Sequence, residues 1–197
     1  MKYIPIEKYK RTGLFLLNQI IDGSNTLTPE FEGLLQRRSY KKGVFLQENQ
    51  LLVPEIIKVE KGSLRVIETR NGTTPVHGFL TPGDVYFDYL SHKNGSGTRL
   101  RVQAMESSSI LALEYKRILE FCKYSIIARA FLVNLATHCL LNTITHRRLL
   151  SGVEAKKKIQ IIRDSSPHWI SAFTQRDLSS YLGMAEESYN RLFHQMD

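Results

Sequence analysis

From Lys41 to Glu114 the apolar positions come in short runs at strand-like spacing, and beyond Tyr115 they recur at helical spacing. The segments KKGVFLQENQ, LLVPEIIKVEKGSLRVIETRNGTTPVHGFLTPGDVYF and TRLRVQAMESSSILALE are broken by Lys42-Gly43, Lys61-Gly62, Asn71-Gly72 and Pro82-Gly83. Apolar runs bounded by such dipeptides predict strands, and Asn71-Gly72 between RVIETR and TTPVHGF predicts a tight hairpin. Strands at this regular spacing point to a closed or sandwiched antiparallel sheet. Ahead of them, residues 4–21 and 29–39 are predicted helices, the second opened by Thr28-Pro29-Glu30.

Residues 120–150 contain no Gly or Pro, and Ile126, Ala130, Val133, Thr137, Leu140 and Ile144 recur at 4-3-4-3-4 spacing, the seam of a coiled coil. Leu132, Leu135 and Cys139 give the same helix a second apolar face, so it should touch two things. One is its own β-domain; the other is the same helix of a second copy or further interior of the monomer. Ser151-Gly152 marks a hinge, residues 153–162 a short basic helix, and Ser165-Ser166-Pro167 the approach to a last segment, FTQRDLSSYLGMAEESYNRLF. There Thr174 caps a helix with Asp177 three residues on, Leu178, Tyr181 and Leu182 share a face, and Gly183 stands where the backbone must turn left-handed. A second helix from about Ala185 turns Tyr189, Leu192 and Phe193 inward, leaving Glu186, Glu187, Asn190 and Arg191 outside. This is the spacing of a helix-turn-helix, with an ordinary helical hairpin as the alternative.

The net charge of +8 on 197 residues directs attention to nucleic acid, but its distribution is uneven. Arg147, Arg148, Lys156, Lys157, Lys158 and Arg163 face only Glu154 between His146 and Arg163, whereas the last segment is slightly acidic. Phosphate attraction would then come from the preceding segment, unless Lys156 to Lys158 form only a solvated face. The leader MKYIPIEKYK has no unbroken apolar run and no stretch reaches the length of a membrane span, which predicts a cytoplasmic protein. Cys122 and Cys139 fit buried thiols in a reducing compartment and make neither a disulfide framework nor a metal site. His77 and His92 lack the His-x-His pair that a β-barrel metalloenzyme would need, and a lone imidazole is thin support for haem, so no enzyme, metal or cofactor is expected.

Antiparallel β-domain, long helix, hinge and the motif Gly183-Met184-Ala185-Glu186-Glu187-Ser188-Tyr189-Asn190-Arg191 together resemble the Crp/Fnr family of bacterial transcription regulators, from about Leu27 to Gln195. DLSSYLGMAEESYNRL looks most like the Bacteroidetes-type members. The resemblance implies an α+β chain: an N-terminal antiparallel, jelly-roll-like β-roll of the cyclic-nucleotide-binding type with flanking helices (residues 1–119), a dimerisation helix (120–150) and a C-terminal helix-turn-helix domain (151–197) without a full wing. It implies as partners double-stranded DNA, a second copy of the chain, RNA polymerase and a small-molecule effector, and no membrane. Glu187 and Arg191 fall on the family's base-contacting positions, chemistry that suits cytosine and guanine independently of the family. Glu186 replaces the family's first Arg, so its usual operator is not implied. The candidate DNA-binding residues are Thr174, Gln175, Ala185, Glu186, Glu187, Ser188, Asn190, Arg191, Lys157 and Lys158.

Members that bind cyclic AMP hold it with a Gly-Glu pair and an Arg-Ser or Arg-Thr pair; Phe87 and Asp88, and Thr98 and Arg99, fall at those places here. Phe87 fills volume that Gly leaves open, and a one-residue displacement turns Arg99 to the other strand face. Cyclic AMP in the usual mode is therefore not expected, and the β-roll is either a shut scaffold or a pocket for another effector. The functional alternative is a dimeric sensing or scaffold protein whose helix-turn-helix no longer binds DNA.

Overall fold

The computed structural model describes residues 33–46, 55–70, 72–88 and 100–196; the predicted helix over 4–21 lies outside them. Among the described residues seven strands form two antiparallel sheets. One runs β1 (Leu35–Tyr40), β7 (Ser108–Glu114), β2 (Glu55–Lys61), β5 (Val85–Tyr86), and the other β4 (Val76–Leu80), β3 (Leu64–Glu68), β6 (Leu100–Ala104). Ile57, Val59, Leu64, Val66, Leu80, Val102, Ala104, Ile110 and Ala112 from both sheets fill one core. The unbroken apolar run in β2 has a simple cause: Ile57 and Val59 face that core, while Ile56 faces a second one with Val85, Phe87 and Leu113. The expected hairpin joins β3 to β4, with Arg70 and Thr73 exchanging backbone hydrogen bonds of 3.0 and 2.8 Å. All four turn glycines take positive φ: Gly43 at 85°, Gly62 at 84°, Gly72 at 77° and Gly83 at 92°.

Six helices follow: α1 (Tyr115–Phe121), α2 (Ile126–Ser151), α3 (Ala155–Ser165), α4 (His168–Ala172), α5 (Gln175–Tyr181) and α6 (Glu186–His194). α1 and α2 cover the outside of the first sheet, placing Ile118, Ala128, Phe131 and Leu135 against Ile56, Phe87 and Leu113. Helices α3 to α6 gather against the outside of the second sheet around Ile67, Val76 and Phe79. They form a helical head docked on the β-roll.

Five expectations are corrected. Of the predicted helix 29–39, residues 29–32 lie outside the described ones and Leu35 onward belongs to β1, which pairs Leu35 through Tyr40 with β7; Arg37 and Arg38 then reach Glu60 and Glu55 of β2, each at 2.7 Å. Sheet pairing here overrides a weak local helix propensity. The long helix does not begin at residue 120: α1 stops so that Tyr115 and Ile118 can pack on the sheet, and Ser125 caps α2, accepting from Ala128 N–H at 3.2 Å. The basic helix starts at Ala155 and extends to Ser165, and α4 stands where the sequence suggested only an approach segment. By length and composition alone, α2 is long and apolar enough to cross a membrane, because its two apolar faces add together.

Gly62 sits at the β2–β3 turn, where an added Cβ would lie 2.3 Å from Ser108 Oγ and 2.7 Å from Ser107 O. Gly62→Ala therefore combines a left-handed backbone with a clash against backbone. It should cost at least about 2 kcal/mol of stability in urea denaturation; a loss under about half that would show that the turn yields.

Candidate nucleic-acid interface

The turn between α5 and α6 is fixed at both flanks. Thr174 Oγ1 accepts from Asp177 N–H at 3.1 Å and donates to the Asp177 carboxylate at 2.7 Å, so the expected capping pair closes the start of α5. At the other end Gly183, at φ 64°, donates to Ser180 O at 3.1 Å while Met184 N–H reaches Ser179 O at 3.0 Å. That pair of bonds is the Schellman arrangement, which needs a left-handed residue after the helix. Leu178 and Leu182 are fully buried below the turn, and Tyr189 anchors α6 beside them.

Gln175, Ala185, Glu186, Glu187 and Arg191 are exposed, with Ser188 half-buried between them. Ala185 caps α6 with no side-chain hydrogen bond, and Glu186 and Glu187 occupy its first turn. Carboxylates there complement the helix dipole, which gives the acidic character of this face a structural cause. Thr174 is exposed but its hydroxyl is engaged in the cap.

Two candidate residues are placed differently from expectation. Asn190, expected outside, is half-buried, with its side-chain carbonyl shut from solvent and without a hydrogen-bond partner. Lys158 is not on a solvated basic face: at 8% exposure, its Nζ donates to Leu150 O at 3.0 Å and Leu182 O at 3.1 Å. It thereby closes the C-terminal ends of both α2 and α5, where a cation is favourable. Lys156 and Lys157 remain exposed, as do Arg147 and Arg148 on α2.

The side of the head away from this face is docked on the second sheet. Phe79 of β4 stacks on Phe173 at 4.0 Å and meets Trp169 edge-on at 5.0 Å. Val76 N–H donates to Ser180 Oγ at 3.0 Å, and Arg65 of β3 forms an ion pair with Asp177. His146 of α2 lies parallel to the Tyr181 ring at 4.2 Å and its Nε2 is 2.9 Å from Tyr181 O; a carbonyl only accepts, so Nε2 carries the proton. His168 Nε2 likewise donates to Thr81 Oγ1 at 3.2 Å, because that hydroxyl gives its own proton to Asp84. Sequence reasoning missed Arg65, Phe79, His146 and Trp169. Their partners lie on remote elements, up to 112 positions away for Arg65, and no periodicity marks them.

Of the effector-pocket candidates, Thr98 and Arg99 lie outside the described residues, as does His92. Phe87 is 6% exposed and stacks on Tyr115 at 4.6 Å, within the core beneath α2; Asp88 is half-buried beside it. The six expected seam positions, Ile126, Ala130, Val133, Thr137, Leu140 and Ile144, are exposed, Ile126 at 75%, Val133 at 66% and Leu140 at 59%. Leu135 on the opposite face is buried against the β-roll, with Leu132 and Cys139 half-buried beside it. Cys122 and Cys139 are free, and burial pushes the Cys139 thiol up to about 11. Among the described residues no group of three or more His, Cys, Asp or Glu could hold a metal ion.

The chain matches no protein-family model and no curated protein, whereas many solved structures share its fold. FixK2 from Bradyrhizobium japonicum superposes with a TM-score of 0.69 at 19% identity, covering 82% of this chain and 84% of its own. A variant of CooA from Carboxydothermus hydrogenoformans gives 0.64 at 14% identity over 92% and 83%, and the c-di-GMP-responsive global regulator CLP of Xanthomonas campestris 0.59 at 16% over 84% and 88%. These neighbours are regulators of the Crp/Fnr family, and the fold seen here is the cyclic-nucleotide-binding fold they carry.

Burial at the docked seam, with a neighbouring His77, holds the His146 imidazole below its usual value. The folded state then binds fewer protons than the unfolded one, so stability is full above about pH 6.5 and falls as the pH drops through that value. Melting temperatures at pH 8 and pH 5 should show this loss in the wild type and a smaller one in His146→Gln; equal losses would show that other groups dominate.

Proposed function

We propose that this chain is a cytoplasmic transcription regulator of the Crp/Fnr type, of the Bacteroidetes kind, that binds DNA sequence-specifically as a homodimer and does not answer to cyclic AMP. The observation that carries this reading is the glycine-turned pair α5–α6, whose outer face is polar and exposed on a β-fold shared with known regulators. Glu187 and Arg191 stand on that face, able to accept from cytosine N4 and to fork onto guanine. Arg147, Arg148, Lys156 and Lys157 supply the nearby phosphate-attracting charge. In this reading 1–119 is the sensor, 120–150 the dimerisation segment and 151–197 the reading head, the main helix of the middle segment starting at Ile126. A second reading, a dimeric scaffold whose head contacts protein, is favoured by the acidic first turn of α6.

Selection from random duplex DNA should enrich a palindrome with half-sites about 34 Å apart, since two-fold protein symmetry is mirrored in the site. Arg191→Ala should then lose about 1–3 kcal/mol and relax one base position. No enrichment at low salt would favour the scaffold reading, and equal loss on all sequences would place Arg191 on phosphate.

The exposed stripe of α2 supports association with its own copy, as burying it offsets an apolar surface left in water. Val133→Glu or Leu140→Glu would bury an unpaired carboxylate and should yield a monomer by light scattering. A wild type that is itself a folded monomer would overturn the homodimer.

Phe87, which the family resemblance sets at the ribose-holding glycine, is buried and packed on Tyr115, and this supports a site closed to cyclic AMP. Calorimetric titration with cyclic AMP should show no binding; micromolar affinity would mean that this loop opens around the nucleotide.

A further inference from the structure

Helix α5 is gripped at both ends by cations from other parts of the fold. At its start the Asp177 carboxylate, 4% exposed, meets Arg65 Nη1 from β3. Arg65 is held in turn by its own sheet: Nε and Nη2 donate to Gln103 Oε1 at 3.0 and 2.7 Å, and Gln103 Nε2 donates to Gly43 O at 2.8 Å. At its end, Lys158 joins the α5 carbonyl of Leu182 to that of Leu150 on α2. These two charged attachments add directional contacts to the Val76–Ser180 hydrogen bond and the Phe79 ring contacts that also hold the helix. Gln175 and Arg176 on the same helix stay exposed.

We propose that Arg65, a β-roll residue, is a positioning residue for the reading head: by pairing with Asp177 it locks the α5–α6 unit in one orientation on the β3–β4 sheet. The guanidinium spends three separate N–H groups on Gln103 and Asp177, a planar division that a lysine ammonium cannot copy. Asp177 is buried and loses its countercharge when Arg65 is removed, which is the costly way to break such a pair. The consequence for DNA rests on the function proposed above; the lock itself does not.

The test uses the full chain. In Arg65→Met, amide hydrogen exchange across α4, α5 and α6 should accelerate by at least about tenfold while β7 amides keep their protection, because only the docked head is released. Arg65→Lys should give a smaller acceleration, and supplies the measurement if Arg65→Met does not fold. Arg65→Met with Asp177→Asn should regain part of the lost protection, since no charge is then left unpaired. On the selected DNA site, Arg65→Met should bind about tenfold more weakly with unchanged base preference. Unchanged exchange in the head, or equal acceleration in β7, would overturn the lock; accelerated exchange with unchanged DNA affinity would overturn the positioning role. A wild type that binds no DNA would remove the DNA-reading function and leave the exchange result to judge the lock.

Discussion

Both faces of the β3–β4 sheet send apolar side chains into a core, and the placement of every element beyond α2 depends on it. Leu64, Val66 and Leu80 face the other sheet, while Ile67, Val76 and Phe79 face outward into the core of the helical head. An outward apolar face on a small sheet must be covered, and α4 and α5 cover it with Trp169, Phe173 and Tyr181. The head is therefore packed on the β-roll as layers of one domain are packed, rather than tethered by its hinge.

That packing sets the stakes of the Arg65–Asp177 ion pair inside it. Separating a buried carboxylate from its partner typically costs about 3–5 kcal/mol, while replacing both groups by apolar ones can cost nothing. Net stability alone is thus a weak account of the Arg65–Asp177 pair; orientation is what its geometry adds. The fork of Arg65 onto Gln103 fixes the direction of the N–H that reaches Asp177, whereas the aromatic contacts around Phe79 tolerate sliding. Lys158 plays a similar part at the far end, and its burial follows from two helix ends converging on one ammonium.

The long helix shows how a single pattern serves two surfaces. Phe131 and Leu135 bind α2 to the first sheet, and the stripe from Ile126 to Ile144 leaves apolar side chains in water. Phe87, beneath the inner face of α2, ties the β5 end of the roll to this helix by stacking on Tyr115 and offering its carbonyl to Cys139. A ligand entering there would have to displace packing that also seats α2.

Local chemistry was legible wherever it was sufficient. Gly43, Gly62, Gly72, Gly83 and Gly183 mark left-handed turns because few other residues adopt them, and Thr174 with Asp177 announces a helix start because the cap is satisfied within one turn. The two faces of α2 and the inward set Leu178, Leu182 and Tyr189 likewise follow from helical periodicity. What only the tertiary structure decided depends on groups far apart in the chain. Leu35–Tyr40 became a strand because the edge of β7 was available to pair with, against its own helix preference. Lys158, one of three consecutive lysines, went inside because two helices happen to end beside it, while Lys156 and Lys157 stayed in water. Arg65 reads in sequence as an ordinary outward strand residue, and acquires its role only because Asp177 is carried to it by the packing of Phe79 against the head.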